Sequence, residues 1–107
     1  MKLLRATLSA ALLAACAGTA LAQDASKALH LKALAATCAN CHGTNGRAIE
    51  GSAVPGLAGM PATYFTEQMK AFKSGARQAT VMHQLAKGYS EAQIEQLAGY
   101  FSALPRN

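Results

Sequence analysis

Apolar residues are distributed along the chain in two different ways. From Ala6 to Ala17 they run almost without interruption, with no charge and only Thr7 and Ser9 as polar breaks. Further on they become periodic. Leu31, Leu34, Ala35 and Cys38 recur at helical spacing, which predicts an amphipathic helix over residues 25–39, without Gly or Pro, that stops by Gly43. Residues 43–59 hold five glycines and Pro55, a composition that reads as loop, with turns at Thr44-Asn45-Gly46 and Pro55-Gly56. A second helix is predicted over 61–74. Pro61 stands at its first position, where the missing N–H costs nothing, Phe65, Met69 and Phe72 share a face, and Gly75 is the stop. A connector, 76–89, leads to a third helix over 90–104. Ser90 and Gln93 form its capping box, Ile94, Leu97, Ala98, Phe101 and Leu104 its apolar stripe, and Pro105 lies past its end. No stretch alternates as a strand would, so the fold class is all-α.

The unbroken apolar run belongs to a different kind of segment. Lys2 and Arg5 precede it, and Ala20-Leu21-Ala22 follows with small residues three and one before Gln23. A basic start, an apolar stretch of about a dozen residues and an A-x-A site describe a secretory signal peptide. The run is also short of the ~20 residues a membrane span needs. The expected division is therefore 1–22 leader and 23–107 domain, with export to the periplasm. A second processing site is present in Leu13-Ala14-Ala15-Cys16, which resembles a lipobox; cleavage there would leave a lipid anchor on Cys16. Removing residues 1–22 changes the composition. The whole chain carries a formal +5; residues 23–107 carry eight basic and five acidic side chains, or +3. Nucleic acid need not be invoked to explain so small an excess. Of the three cysteines only Cys38 and Cys41 remain. A domain of this length is near the limit at which a side-chain core suffices, so a cofactor, metal or disulfide is expected.

Cys38-Ala39-Asn40-Cys41-His42 supplies one. C-x-x-C-H is the attachment motif of c-type haem. Two thiols three residues apart along a helical turn match the span between two haem vinyl groups, and the next residue brings an imidazole under the ring centre, where it binds iron. Other readings fit less well. A redox dithiol needs a βαβ setting, and no strands are read here. A zinc site would need His30 or His83 as a fourth ligand. A disulfide across two residues closes too short a loop to stabilise much.

The sixth iron position has several candidates: Met60, Met69, Met82, His30 and His83. Met69 sits on the apolar stripe of the second helix and reads as core, and His30 reads as a solvated helix residue. Met60 lies close in sequence to the proximal side. Met82 and His83 share the connector ahead of the capped helix, where a segment can fold over the opposite face of the ring, but neighbouring side chains cannot both point at iron. Met82 is preferred, with His83 and Met60 left open.

The order of these parts resembles class I cytochrome c. The closer likeness is to the monohaem cytochrome subunit of sulfide dehydrogenase (flavocytochrome c) and to the cytochrome c4 and c553 group. It is carried by Thr37–Gly46, by Pro55-Gly56-Leu57-Ala58-Gly59, by Tyr64–Arg77, and by Val81-Met82 through Ser90 to Phe101. The resemblance implies one covalent haem c in a class I cytochrome fold of about three main helices. In that family the axial Met precedes the helix-capping Ser by eight residues, as Met82 precedes Ser90, whereas Met60 falls where the family usually carries Gln. It also implies that the Pro55 carbonyl accepts the Nδ1–H of the ligand histidine, that Tyr64, Gln68 and Arg77 lie near the haem propionates, and that Tyr100 and Phe101 pack against the first helix near Leu31 and Leu34, with Gly99 permitting close approach. The implied function is single-electron transfer, with no catalysis on this chain. The implied partner is a flavoprotein subunit that oxidises sulfide; the alternatives are a free-standing carrier and a haem-based ligand sensor.

Overall fold

A computed structural model describes residues 1–106, with side chains described at Met1 and from Thr19 onward. Five α-helices follow one another: α1 (Lys2–Ala36), α2 (Ala39–His42), α3 (Ala62–Ser74), α4 (Met82–Leu85) and α5 (Glu91–Ser102). No strand occurs among the described residues. The chain divides into two compact units, residues 1–32 and 33–107.

The first unit is entirely α1 up to Lys32. The helix is thus longer than the periodicity predicts, starting at Lys2 rather than near residue 25. Local propensity explains this, because residues 2–36 are dominated by Ala and Leu and hold no proline. Cys16 lies outside the described side chains. No helix among the described residues is long and apolar enough to cross a membrane.

The second unit holds the rest. α1 ends at Ala36 rather than Ala39, and the chain re-enters a helical turn, α2, after Thr37 and Cys38. The break is a hydrogen-bonded turn, with Thr37 N donating to Leu34 O (3.2 Å) and Cys38 N to Ala35 O (3.1 Å). α3 begins one residue later than expected because Pro61 takes the cap position with extended ψ (132°), its carbonyl accepting from Phe65 N at 3.0 Å. The expected stop at Gly75 is observed, with φ 82° and its N–H on Phe72 O. Residues 76–89 are more ordered than a plain connector: α4 and a 3-10 turn at Ala86–Gly88 follow each other directly and end two residues before α5. At α5 the capping box is complete. Ser90 Oγ accepts from Gln93 N (3.1 Å) while Gln93 Oε1 accepts from Ser90 N (2.9 Å).

The core lies chiefly between α3 and α5. Phe65 and Met69 from α3 meet Ile94, Leu97, Ala98 and Phe101 from α5, with Ala35, Leu57 and Ala86 closing the sides. Phe101, Ile94 and Leu97 are fully buried, each contributing about 1.5–3 kcal/mol of apolar transfer. Phe101 stacks on Phe65 (centroids 5.8 Å) and takes the edge of Tyr100 (5.2 Å). Leu34 and Tyr100 pack on the same cluster. Gly99 has no part in this, since its missing side chain faces open space among the described residues.

Candidate metal centre

Cys38, Cys41 and His42 stand at i, i+3 and i+4 of one helical turn. Cys38 O accepts from both Cys41 N (3.3 Å) and His42 N (3.0 Å), which closes the turn and puts the two thiols and the imidazole on one face. The thiols are not joined to each other. Cys38 is half-buried and Cys41 exposed; burial pushes the Cys38 thiol above its ordinary value, opposed in part by the Thr37 side chain.

The chain then reverses through Gly43 (φ 83°), where a Cβ would stand 2.0 Å from Arg47 O. Asn45 is also left-handed (φ 54°), within a 3-10 turn over Thr44–Gly46. Gly46 anchors the loop that follows. Its carbonyl accepts from Leu57 N (2.7 Å) and Ala58 N (3.1 Å), and its bare Cα lies so close to Phe101 that an added Cβ would be 2.9 Å from the ring. This seat brings the Pro55 carbonyl to His42. The buried imidazole donates Nδ1–H to Pro55 O at 2.6 Å, which sets the tautomer and leaves Nε2 as the lone-pair nitrogen.

The other candidate residues are dispersed. Met82 opens α4, half-buried and packed against the core. Met69 is buried inside the core, and His30 is exposed on α1. Met60 is half-buried beside an open cleft that Arg47, Pro61, Tyr64 and Arg106 also line. Gln68 and Arg77 are brought together: Arg77 Nη1 donates to Gln68 Oε1, and the guanidinium lies 4.6 Å over the Phe72 ring. Tyr64, one turn before Gln68 on α3, lines the Met60 cleft. His83, next to Met82, is half-buried, and its enclosed Nδ1 has no hydrogen-bond partner among the described residues.

A bond that sequence reasoning missed ties this region to the second half of the chain. Thr37 Oγ1 donates to Leu34 O (2.7 Å), so the 2.9 Å contact between Thr37 Oγ1 and Tyr89 OH has the phenol as donor. Tyr89 O in turn accepts from Lys73 Nζ (2.5 Å), and Lys73 pairs with Glu91 (3.4 Å). Nothing in the local pattern around Thr37 or Tyr89 signals a contact across 52 residues.

The donor set suits covalently held haem iron: two unpaired thiols and an imidazole on one face, the imidazole oriented from behind by a carbonyl, and a thioether on a separate element. Comparison with known proteins points the same way. The family model described as Cytochrome c matches residues 31–105. The chain is 43% identical over 70 residues to the thiosulfate dehydrogenase electron acceptor of Thiomonas intermedia, covering 65% of this chain and 32% of that protein. It is 38% identical over 73 residues to the cytochrome subunit of sulfide dehydrogenase of Chlorobaculum tepidum, covering 68% and 64%. Cytochrome c4 of Acidithiobacillus ferrooxidans superposes with a TM-score of 0.59 at 37% identity, over 63% of this chain and 38% of that one. The chain therefore spans between a third and just under two-thirds of the length of these relatives.

Proposed function

The chain belongs to the cytochrome c family, an electron-transfer protein carrying haem c, and from that premise we propose a specific ligand set and a class of electron donor. Cys38 and Cys41 would hold the haem through thioether bonds, and His42 Nε2 and the Met82 thioether would be its two iron ligands. The observation that carries the His42 assignment is the 2.6 Å bond from His42 Nδ1 to Pro55 O, beside a turn that also bears the two thiols.

Haem c supplies a one-electron Fe(III)/Fe(II) couple. The residues decide how it is used. The Pro55 carbonyl holds the imidazole in one tautomer and strengthens it as a donor. A thioether is soft and weakly donating, so Met82 favours Fe(II) and raises the potential above that of a bis-His site. With His42 and Met82 both serving as iron ligands there would be no room for a substrate, and the chain would pass electrons by outer-sphere transfer through the exposed Cys41 side of the site. Residues 1–22 direct the chain to the periplasm as a signal peptide, where such linkages are made. Tyr64, Gln68 and Arg77 contribute to holding the propionates.

The donor is a dehydrogenase of an inorganic sulfur compound, and the preferred one is the flavoprotein subunit of a sulfide dehydrogenase. The likeness to the Chlorobaculum subunit supports it. The likeness to the Thiomonas acceptor favours a second reading, in which electrons come from a thiosulfate dehydrogenase. Purified ferric holoprotein, mixed with each dehydrogenase and its substrate, separates them by the rate of haem reduction. Fast reduction with the flavoprotein and sulfide supports the first reading. Reduction only with thiosulfate dehydrogenase supports the second, and reduction by neither leaves a free-standing carrier of another chain. For the ligands, Met82→Ala should abolish the long-wavelength charge-transfer band of thioether-ligated ferric haem while Met60→Ala keeps it; the reverse overturns the distal assignment.

A further inference from the structure

His83 is a titratable side chain directly beside Met82 that the proposed function does not employ. Its Nδ1 is enclosed and has no hydrogen-bond partner among the described residues. Leaving a buried polar nitrogen unpaired costs about 1–3 kcal/mol, so such an atom calls for a reason. The contrast with His42 is informative: there the enclosed Nδ1 is committed to Pro55 O, while at His83 the nitrogen is committed to nothing.

The element that carries His83 is easily re-aimed. α4 is four residues long, has no side-chain cap, and is closed by Gln84 N and Leu85 N on Val81 O, both at 3.0 Å. Neighbouring residues on a helix point about 100° apart with a rise of about 1.5 Å. A turn of α4 by one residue therefore brings His83 into the direction that Met82 held and carries Met82 away from it. Among the described residues His83 Nδ1 has no hydrogen bond that would have to break for this to happen. Lys70 and Lys73, the amines on the neighbouring α3, are paired with Glu91 (3.3 and 3.4 Å), and His30 is exposed on α1.

We propose that His83 is a reserve axial ligand, which occupies the distal iron position whenever the Met82 thioether is not there. This rests on the reading of Met82 as the sixth ligand. Imidazole is a harder donor than a thioether and favours Fe(III), so the exchange runs furthest in the ferric protein. Its effect is to keep the iron six-coordinate and to deny peroxide a vacant position.

The test uses haem-loaded protein in four forms: wild type, His83→Ala, Met82→Ala and the double variant, each examined in the ferric state by visible absorption and electron paramagnetic resonance. His83→Ala should keep the wild-type spectrum. Met82→Ala should lose the thioether band yet remain low-spin. The double variant should become high-spin, return to low-spin on addition of imidazole, and oxidise a dye with peroxide faster than Met82→Ala does. Should imidazole fail to restore the double variant, Met82→Ala with His83→Gln is measured in the same way and decides. A high-spin Met82→Ala overturns the proposal, as does a low-spin signal that persists when His83 is also removed, which would assign the position to another residue such as Lys87. Retention of the thioether band in Met82→Ala is a separate failure, that of the distal ligand assignment itself.

Discussion

Replacing Gly46 with Ala should damage both the fold and the metal centre, and the structure gives the size of the effect. Gly46 has φ 71°, a left-handed conformation that costs a residue with a Cβ about 1–2 kcal/mol. The new methyl would also stand 2.8 Å from Leu57 Cβ and 2.9 Å from two carbons of the Phe101 ring. Phe101 is fully buried, so the ring cannot move outward cheaply, and overpacking of this kind costs about 1–3 kcal/mol. The expected loss is about 2–5 kcal/mol. At roughly 4–8 °C per kcal/mol for a domain of this size, the melting temperature should fall by about 10 °C or more. Gly75→Ala is the internal control. Its φ is 82°, but nothing lies within 4 Å of the added methyl, so it carries only the conformational term. Both variants are melted as haem-loaded protein by circular dichroism. Because Gly46 O seats Leu57 and Ala58 just after Pro55, Gly46→Ala should also lower the reduction potential or broaden its wave, and Gly75→Ala should do neither. Equal destabilisation by the two substitutions would refute the claim that close packing, rather than backbone angle alone, requires glycine at 46.

Four further outcomes are expected. Ser90→Ala removes the acceptor for Gln93 N and should cost about 1 kcal/mol in denaturant unfolding; a change below about 0.3 kcal/mol would mean the box is not what starts α5. Phe101→Ala empties the centre of the core and should cost about 3–5 kcal/mol, read from the urea midpoint. Tyr89→Phe deletes the donor to Thr37 and should cost about 0.5–1.5 kcal/mol, with Thr37→Val, measured alongside, no more than additive when combined. Glu91 is held below the ordinary carboxylate value by Lys70 first and then Lys73. A lowered folded-state value stabilises the fold above the unfolded value and stops doing so as pH falls through the folded one. Melting temperatures of Glu91→Gln and wild type should therefore differ at neutral pH and converge in acid; a gap that persists or widens in acid would count against this.

The parts of the fold that the chain announces are those set by neighbours in sequence. The capping box at Ser90, the Gly75 stop and the buried stripe from Ile94 to Phe101 each depend on residues within two turns, and each is observed. The misplaced boundaries have the same origin. α1 extends to Lys2 because residues 2–36 are rich in Ala and Leu and hold no proline, and it breaks at Thr37 and Cys38 because a turn there is stabilised by Thr37 Oγ1 on Leu34 O and by Tyr89, a partner local patterns cannot reveal. The short helix at Met82–Leu85 has too few residues for periodicity to register.

The metal centre divides along the same line. Placing Cys38, Cys41 and His42 on one face takes a single turn, closed by the Cys38 carbonyl, and any sequence that forms that turn presents the same face. Orienting the imidazole takes much more. Pro55 is thirteen residues away, and it reaches His42 because Gly43 reverses the chain, Gly46 lies flush against Phe101, and Gly46 O holds Leu57 and Ala58. Phe101 is in turn fixed by Phe65 and Tyr100. On the proposed ligand set, the orientation of the His42 imidazole thus depends on the packing of α5. A core substitution far from the iron, such as Phe101→Ala, should therefore move the potential as well as the stability, whereas one on the exposed face of α5, such as Glu95→Ala, should move neither.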